Sequence, residues 1–77
     1  FIYIKNTDAA NDIYVVFDGG TVANTATDAV KISPNQSFYG RFPNATVADV
    51  HAIGYDPTAA AAATATCIVC ALLDDVA

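Results

Sequence analysis

His51 is the residue in this sequence best suited to acid–base chemistry, and it is the sole histidine. Asp49 precedes it by two positions, and alternate residues of a strand share a face, so a carboxylate could orient the imidazole. Nucleophilic catalysis would also need a serine on a sharp turn, as in Gly-x-Ser-x-Gly, and no such motif occurs. We therefore interpret His51 as a partly buried or interface histidine. An enzyme is not predicted, because a partner chain would have to complete the site around His51 and Asp49.

Cys67 and Cys70 form a Cys-x-x-Cys pair within a strongly β-prone segment. Redox motifs of this type lie at a helix N-terminus, where the thiolate is stabilised. Residues three apart in a strand point to opposite faces, so a disulfide between them is not expected. Zinc would need further ligands, and only His51 offers another nitrogen or sulfur ligand. The sequence predicts two reduced, buried cysteines that fit a reducing cytoplasm, with no metal and no cofactor.

The acidic residues are eight aspartates, without a single glutamate. Most of them fall in predicted turns, where aspartate binds nearby backbone amides. Their spacing does not match a calcium-binding loop. Glycosidase chemistry needs two carboxylates across a cleft, for which a chain of this size has little room. We interpret the aspartates as turn residues.

The net charge of −5 bears on the choice of partners. Lys5, Lys31 and Arg41 are scattered, so neutralisation of phosphates, and with it nucleic-acid binding, is not expected. An anionic membrane surface is disfavoured for the same reason. The sequence has no apolar run of about 18 residues for a membrane span. Because it begins with Phe1, we expect a short N-terminal segment to be missing.

Short stretches of β-branched and aromatic residues alternate with turn-forming residues roughly every eight to twelve positions. This pattern predicts a single domain over residues 1–77, all-β, folded as a small antiparallel β-sandwich of the Ig-like or jelly-roll-like type. We expect about six to eight short strands. Residues 21–28 are left open as strand or loop, and the alanine run 58–63 as a loop or one helical turn. The predicted strands are 1–5, 13–17, 29–32, 36–42, 49–55 and 65–73.

Two predicted strands carry apolar residues on both faces, although a free sandwich should show one polar face per strand. A domain this small has a thin stability margin, which oligomerisation can supplement. The second apolar face therefore indicates contact with another subunit, or else cover by a loop of the same chain. Exposed tyrosines could alternatively line a carbohydrate surface. The predicted interface residues are Tyr14, Val16, Ile68, Cys70 and Leu72.

The order of strands and turns resembles that of small β-sandwich proteins from the virions of tailed bacteriophages. An opening strand ends in an Asn-Thr turn at residues 4–8, and the strand at 13–19 follows. Residues 30–37 lead into a turn like Pro-Gly-x-Ser, and residues 50–53 form a hydrophobic-x-Ala-Ile strand. Pro34 is followed by Asn35 where glycine is usual, and asparagine also accepts positive φ.

The resemblance implies a capsid decoration or cement protein. Such a protein would oligomerise, often as a trimer, and bind between major capsid subunits to stabilise the shell. It would act on the virion surface after assembly in the host cytoplasm, and no catalytic residue is carried over. The alternative is an adhesive or glycan-binding β-module of a tail fibre, pilus or surface layer.

Overall fold

The computed structural model of the protein describes residues 1–41 and 50–71. Those residues form an all-β domain with strands in two antiparallel sheets, a small β-sandwich as predicted. Nowhere in these two ranges is there a helix with the length and apolarity to cross a membrane. The strands are β1 (Ile2–Asn6), β2 (Asp12–Val16), β3 (Val30–Ile32), β4 (Ser37–Gly40), β5 (His51–Asp56), β6 (Ala61–Ala62) and β7 (Cys67–Ala71).

The first sheet has the strand order β4-β1-β7, and the second sheet has the order β3-β2-β5-β6. Every strand pairing among the described residues is antiparallel. The seven strands in the described residues fall within the predicted range of about six to eight, and most of their boundaries shift by one or two residues. The alanine run differs from its prediction because Ala61–Ala62 pair with the end of β5 as a short edge strand. The predicted strand ends at 42, 49 and 72–73 lie outside the described residues.

The hydrophobic core lies between the two sheets and follows from the period-2 alternation of β1 and β2. Ile2 and Ile4 of β1 are buried, while the alternating Tyr3 and Lys5 are only half-buried. Aliphatic residues of the second sheet pack against this face. Phe17 and Phe38 close one side of the core with ring centroids 5.4 Å apart. The buried core cluster consists of Ile2, Ile4, Ile13, Val15 and Ile32.

Asn6 ends β1 and ties three segments together from a fully buried position. Its side-chain Nδ2 donates to the carbonyl oxygens of Ile32 (2.9 Å) and Asn11 (2.8 Å). Its Oδ1 accepts the backbone N–H of Asp8 at 2.9 Å. A buried amide is tolerated only when its donors and acceptors are paired, and here both ends are. The Asn-Thr turn of the sequence is thus a polar anchor inside the sandwich.

The turn at residues 33–36 carries the chain from β3 in the second sheet to β4 in the first. Gln36 donates its backbone N–H to the Ser33 carbonyl at 3.0 Å, and Asn35 has φ of 65°. Proline at the second position and a positive φ at the third are the features of a type II turn. The expectation that Asn35 would accept positive φ is confirmed.

Gly54 allows the chain to return from the second sheet to the first. A Cβ at this position would collide with the Ala63 carbonyl oxygen and lie 2.9 Å from the Ala65 backbone nitrogen. Ala63 also donates its N–H to the Gly54 carbonyl at 3.1 Å. Residues 63–65 therefore cross directly over β5 before β7 begins, and only glycine fits beneath them.

Candidate functional site: the outward face of the first sheet

The structure divides the predicted interface residues between opposite faces of the sandwich. Tyr14 and Val16 alternate with core residues of β2, so they lie on the outward face of the second sheet. Ile68 and Cys70 pair with Lys5 and Tyr3 of β1, which puts them on the outward face of the first sheet. Leu72 lies outside the described residues. The residues therefore do not form one continuous surface.

The outward face of the second sheet is largely covered by the chain itself. Val16 is 0% exposed, so it cannot contact another subunit in this conformation. Tyr14 is half-buried and meets Tyr55 edge to face, with ring centroids 5.8 Å apart and an interplanar angle of 88°. For β2, the second apolar face thus indicates cover within the chain, which was the alternative interpretation of the sequence.

The loop after β2 supplies part of this cover through His51. His51 is the cross-strand partner of Val16, and its ring Nδ1 lies 2.8 Å from the carbonyl oxygen of Gly20. The imidazole is exposed, so it is not partly buried in the single chain, and the alternative of an interface histidine stays a prediction. Asp49 lies outside the described residues, so the pairing of the two side chains stays a prediction. In the described structure His51 holds a loop against the sheet.

Asp18 stabilises the same loop. Its Oδ1 accepts the backbone N–H of Gly20 at 2.9 Å, while Gly19 takes a φ of 76°. That hydrogen bond, then one with the Asp28 side chain, and the nearby His51 lower the pKa of Asp18 below its usual 3.8. The two glycines lie within a long connection rather than a tight hairpin, since residues 17–29 separate β2 from β3.

Other loop aspartates behave as predicted and bind the backbone of their own turns. Asp8 accepts the N–H groups of Ala10 and Asn11, at 3.0 and 2.8 Å. Asp56 accepts the Thr58 N–H at 2.9 Å. Asp12 is the exception, since it lies in β2, is 4% exposed and faces Lys31 Nζ at 3.8 Å. Among residues 1–41 and 50–71, no group of three metal-ligating side chains is placed to hold an ion.

The outward face of the first sheet presents two rows of side chains across its three strands. In one row Tyr39, Tyr3 and Cys70 lie side by side. In the next row Ser37, Lys5 and Ile68 do so. Phe1 extends the first row, with its ring centroid 5.7 Å from that of Tyr39. We call this surface the aromatic face; its residues are Phe1, Tyr3, Lys5, Tyr39, Ile68 and Cys70.

The aromatic face is open to solvent. Tyr39 is 70% exposed, Ile68 54% and Phe1 43%. Tyrosine rings with one polar edge and large aliphatic side chains are typical of protein contact surfaces. Lys5 is the one charged residue among the six. The arrangement can bury apolar area and offer one ammonium group, and its six side chains contain neither a carboxylate nor an imidazole.

Strand β7 is exposed on its other face as well. Val69 pairs with buried Ile4 and so points between the sheets, yet it is 57% exposed. Cys67 and Cys70 are free thiols on opposite faces, as predicted, but both are exposed. The prediction of buried cysteines is wrong because β7 is the edge strand of the first sheet and the described residues cover neither face.

The sequence interpretation missed Tyr39, Tyr3 and Phe1 as members of one surface with Ile68. The signal was the alternation of residues 36–42, which assigns Tyr39 to the face opposite Phe38. What the sequence did not reveal was the order of strands, since β1 has to lie between β4 and β7 before the tyrosines and Ile68 can meet.

In comparisons with known proteins, no family model matches the chain, and neither a curated protein nor a solved structure matches it. The aromatic face and its chemistry are therefore the features of the molecule that bear on its function.

Proposed function

We propose that the protein is a structural virion component: a capsid decoration or cement protein that oligomerises and binds between major capsid subunits to stabilise the shell. The observation that carries the proposal is the exposed aromatic face of the first sheet. Exposed large apolar residues gathered on one face are the mark of a protein interaction site. Ile68 lies on β7 and Tyr39 on β4, the strands on either side of β1, and both side chains are exposed. A flat partner surface could therefore cover both at once.

The energetics favour a contact of this kind. Apolar surface removed from water contributes roughly 25 cal/mol per Å². A 77-residue chain buries only about 60% of its unfolded surface on folding, which leaves a thin margin of stability. Docking of the aromatic face would thus stabilise the small domain together with the shell that it joins.

The charge distribution agrees with docking through this face. The chain carries a net charge of −5, but the six side chains of the aromatic face include the ammonium group of Lys5 and no carboxylate. A protein partner would thus meet a mainly apolar surface without an acidic side chain among these six residues. Charges at the rim of such an interface set orientation more than affinity.

The test is co-sedimentation of the purified protein with shells that lack it. We expect stoichiometric binding by the wild type and its loss in Ile68→Asp, since the cost of desolvating a carboxylate in a buried contact can exceed its attraction to the neighbouring Lys5. The fold should survive, because Ile68 is 54% exposed. Ala59→Asp adds the same charge in an exposed turn and should bind normally. Undiminished binding by folded Ile68→Asp would contradict the proposal.

The aromatic row also supports a second candidate, an adhesive or glycan-binding β-module. Tyr3, Tyr39 and Phe1 form a row of aromatic rings, and the two tyrosines add polar hydroxyl edges; sugar rings can pack against a surface of this kind. A glycan array separates the two functions. The decoration function expects no bound glycan. The glycan-binding function expects hits that Tyr39→Ala abolishes while Ile68→Asp leaves them in place.

A further inference from the structure

The outer edge of β7 forms no strand pairing with the described residues. Within residues 1–41 and 50–71, Cys67–Ala71 pair with β1 alone, and β7 ends the strand order of its sheet. The strand has no charged residue and no proline, and both of its faces are exposed. An edge of this kind is a template for another strand, which natural proteins usually block with lysine, proline or a bulge.

We infer that β7 pairs with β7 of a second copy of the chain. Antiparallel pairing about a two-fold axis would join the two first sheets into one sheet of six strands. This goes beyond the proposed function, which requires the aromatic face to dock on a shell protein but does not say how two copies meet.

The pleat of the strands restricts the register of this dimer. A two-fold axis perpendicular to the sheet keeps each residue on its own face, so opposite residues must have the same parity. Centred on the strand, Val69 then lies opposite Val69 of the second copy, and Ile68 lies opposite Cys70. A shift by one residue would bring Ile68 onto the inward face and is excluded.

The second copy is favoured over an unrelated strand by the chemistry of these pairs. In the centred register, each residue from Cys67 to Ala71 faces a small or aliphatic residue, and no charge meets another charge. This matters for an acidic chain of net charge −5, whose copies repel each other elsewhere. Isologous contacts of this kind are the commonest route to soluble dimers.

The pairing would also extend the aromatic face. Ile68 and Cys70 of each copy would meet at the centre, with Tyr3 and Tyr39 flanking them on both sides. Two linked copies would bind a repeating shell more tightly than one, since the second contact becomes intramolecular.

Disulfide formation in cysteine variants tests the register, starting from Cys67→Ala/Cys70→Ala. Adding Val69→Cys should give a covalent dimer on mild oxidation, because opposite residues lie about 4.5–5.5 Å apart, within disulfide range. Adding Ile68→Cys instead should give none, since the two residues 68 lie on a diagonal at about 7–8 Å. Ile68→Cys with Cys70 retained and Cys67→Ala should crosslink again.

Equal crosslinking of all three variants, or none in Val69→Cys, would overturn the inference. Sedimentation supplies a second measurement: the wild type should show a concentration-dependent dimer, and Val69→Lys should be a folded monomer. A folded Val69→Lys protein that still dimerises contradicts the β7 contact. Shell co-sedimentation keeps the two proposals apart. A wild type that stays monomeric yet binds shells rejects only the dimer, and a wild type that dimerises but does not bind shells rejects only the shell function.

Discussion

The two sheets of this sandwich treat their outward faces differently. On the second sheet, Val16 is fully buried and Tyr14 packs edge-on against Tyr55. On the first sheet, Tyr39 and Ile68 are more than half exposed. Both sheets have strands that are apolar on two faces, so composition does not set them apart. The difference lies in what the chain folds over each face.

The connection between β2 and β3 explains the closed face. It spans residues 17–29, far more than a hairpin needs, and the contact of His51 with Gly20 holds it beside Val16. The described residues provide no such cover for β7, where even the inward-pointing Val69 is exposed. A second apolar face thus predicts an interface only where no long loop of the same chain can reach it.

The largest expected effect is that of Asn6→Ala, which tests the buried polar contact between β1 and the second sheet. The substitution leaves the carbonyls of Ile32 and Asn11 and the N–H of Asp8 without their side-chain partner. The Ile32 carbonyl is the buried one of the three. Each buried group left unpaired costs about 1–3 kcal/mol, so we expect a loss of about 2–5 kcal/mol in unfolding free energy, measured by urea denaturation.

Asn11→Ala is the matched control for this change. It removes an amide of the same type whose Nδ2 bonds the Thr64 carbonyl at an exposed position. The expected cost is about 1 kcal/mol or less. Equal losses in unfolding free energy for the two variants would mean that the buried hydrogen bonds of Asn6 matter no more than an exposed one.

Gly54→Ala should come next in size. The added methyl group meets the backbone of Ala63 and Ala65, which cannot move without displacing the crossing to β7. Overpacking of this kind costs about 1–3 kcal/mol. Gly20→Ala is the control, because its added methyl group would meet the end of the Asp18 side chain, 3.0 Å away, which can turn aside; thermal melts of both variants measure the difference.

One valine from each sheet gives the most direct comparison. Val16→Ala removes two buried methyl groups and should cost about 1.5–2.5 kcal/mol, from roughly 0.8 kcal/mol per buried carbon and a cavity term. Val69→Ala makes the same change at a residue that is 57% exposed and should cost less than about 1 kcal/mol at concentrations where the protein is a monomer. Similar losses in unfolding free energy for the two variants at low concentration would show that Val69 is as well packed as Val16.

The sequence predicted the sandwich because strand alternation and turn residues act locally. Ile13–Phe17 and the Pro34-Asn35 turn show this, since their patterns depend on neighbours only. Which of the predicted interface residues, from Tyr14 to Cys70, stay exposed and share a surface had no such local basis. It required knowing which strands share a sheet, and strand order is set by long-range pairing such as that of β1 with β7.

The same limit explains the buried asparagine and the exposed cysteines. Asn6 looked like an ordinary turn residue, but its bond to Ile32 spans 26 positions of sequence and is not visible from composition. Cys67 and Cys70 have the residue type and neighbours of core positions. Their exposure follows from the position of β7 at the edge of the first sheet. The local sequence of residues 67–71 does not reveal that position.

The smallest expected effect is the pH dependence of the contact between Asp8, in the loop from β1 to β2, and Thr66, just before β7. Asp8 accepts N–H groups from Asn11 and Ala10 and, at 3.4 Å, from Thr66 just before β7. These bonds, that from Asn11 foremost, lower its pKa below the usual 3.8. Since the folded pKa is depressed, the stabilisation is complete above the unfolded pKa near 3.8 and is lost as pH falls through the lower folded value.

Asp8→Asn should therefore be less stable than the wild type at neutral pH, and the difference should shrink below about pH 4. The protection factor of the Thr66 amide, which donates to Asp8, compares its exchange with that of an unstructured amide at the same pH. It should fall in acid in the wild type, while that of Val15 in the core changes less. Asp56→Asn serves as control, because Asp56 binds only its own turn among the described contacts. If Asp8→Asn and the wild type lose stability in parallel on acidification, Asp8 does not tie the β1–β2 loop to the β7 strand.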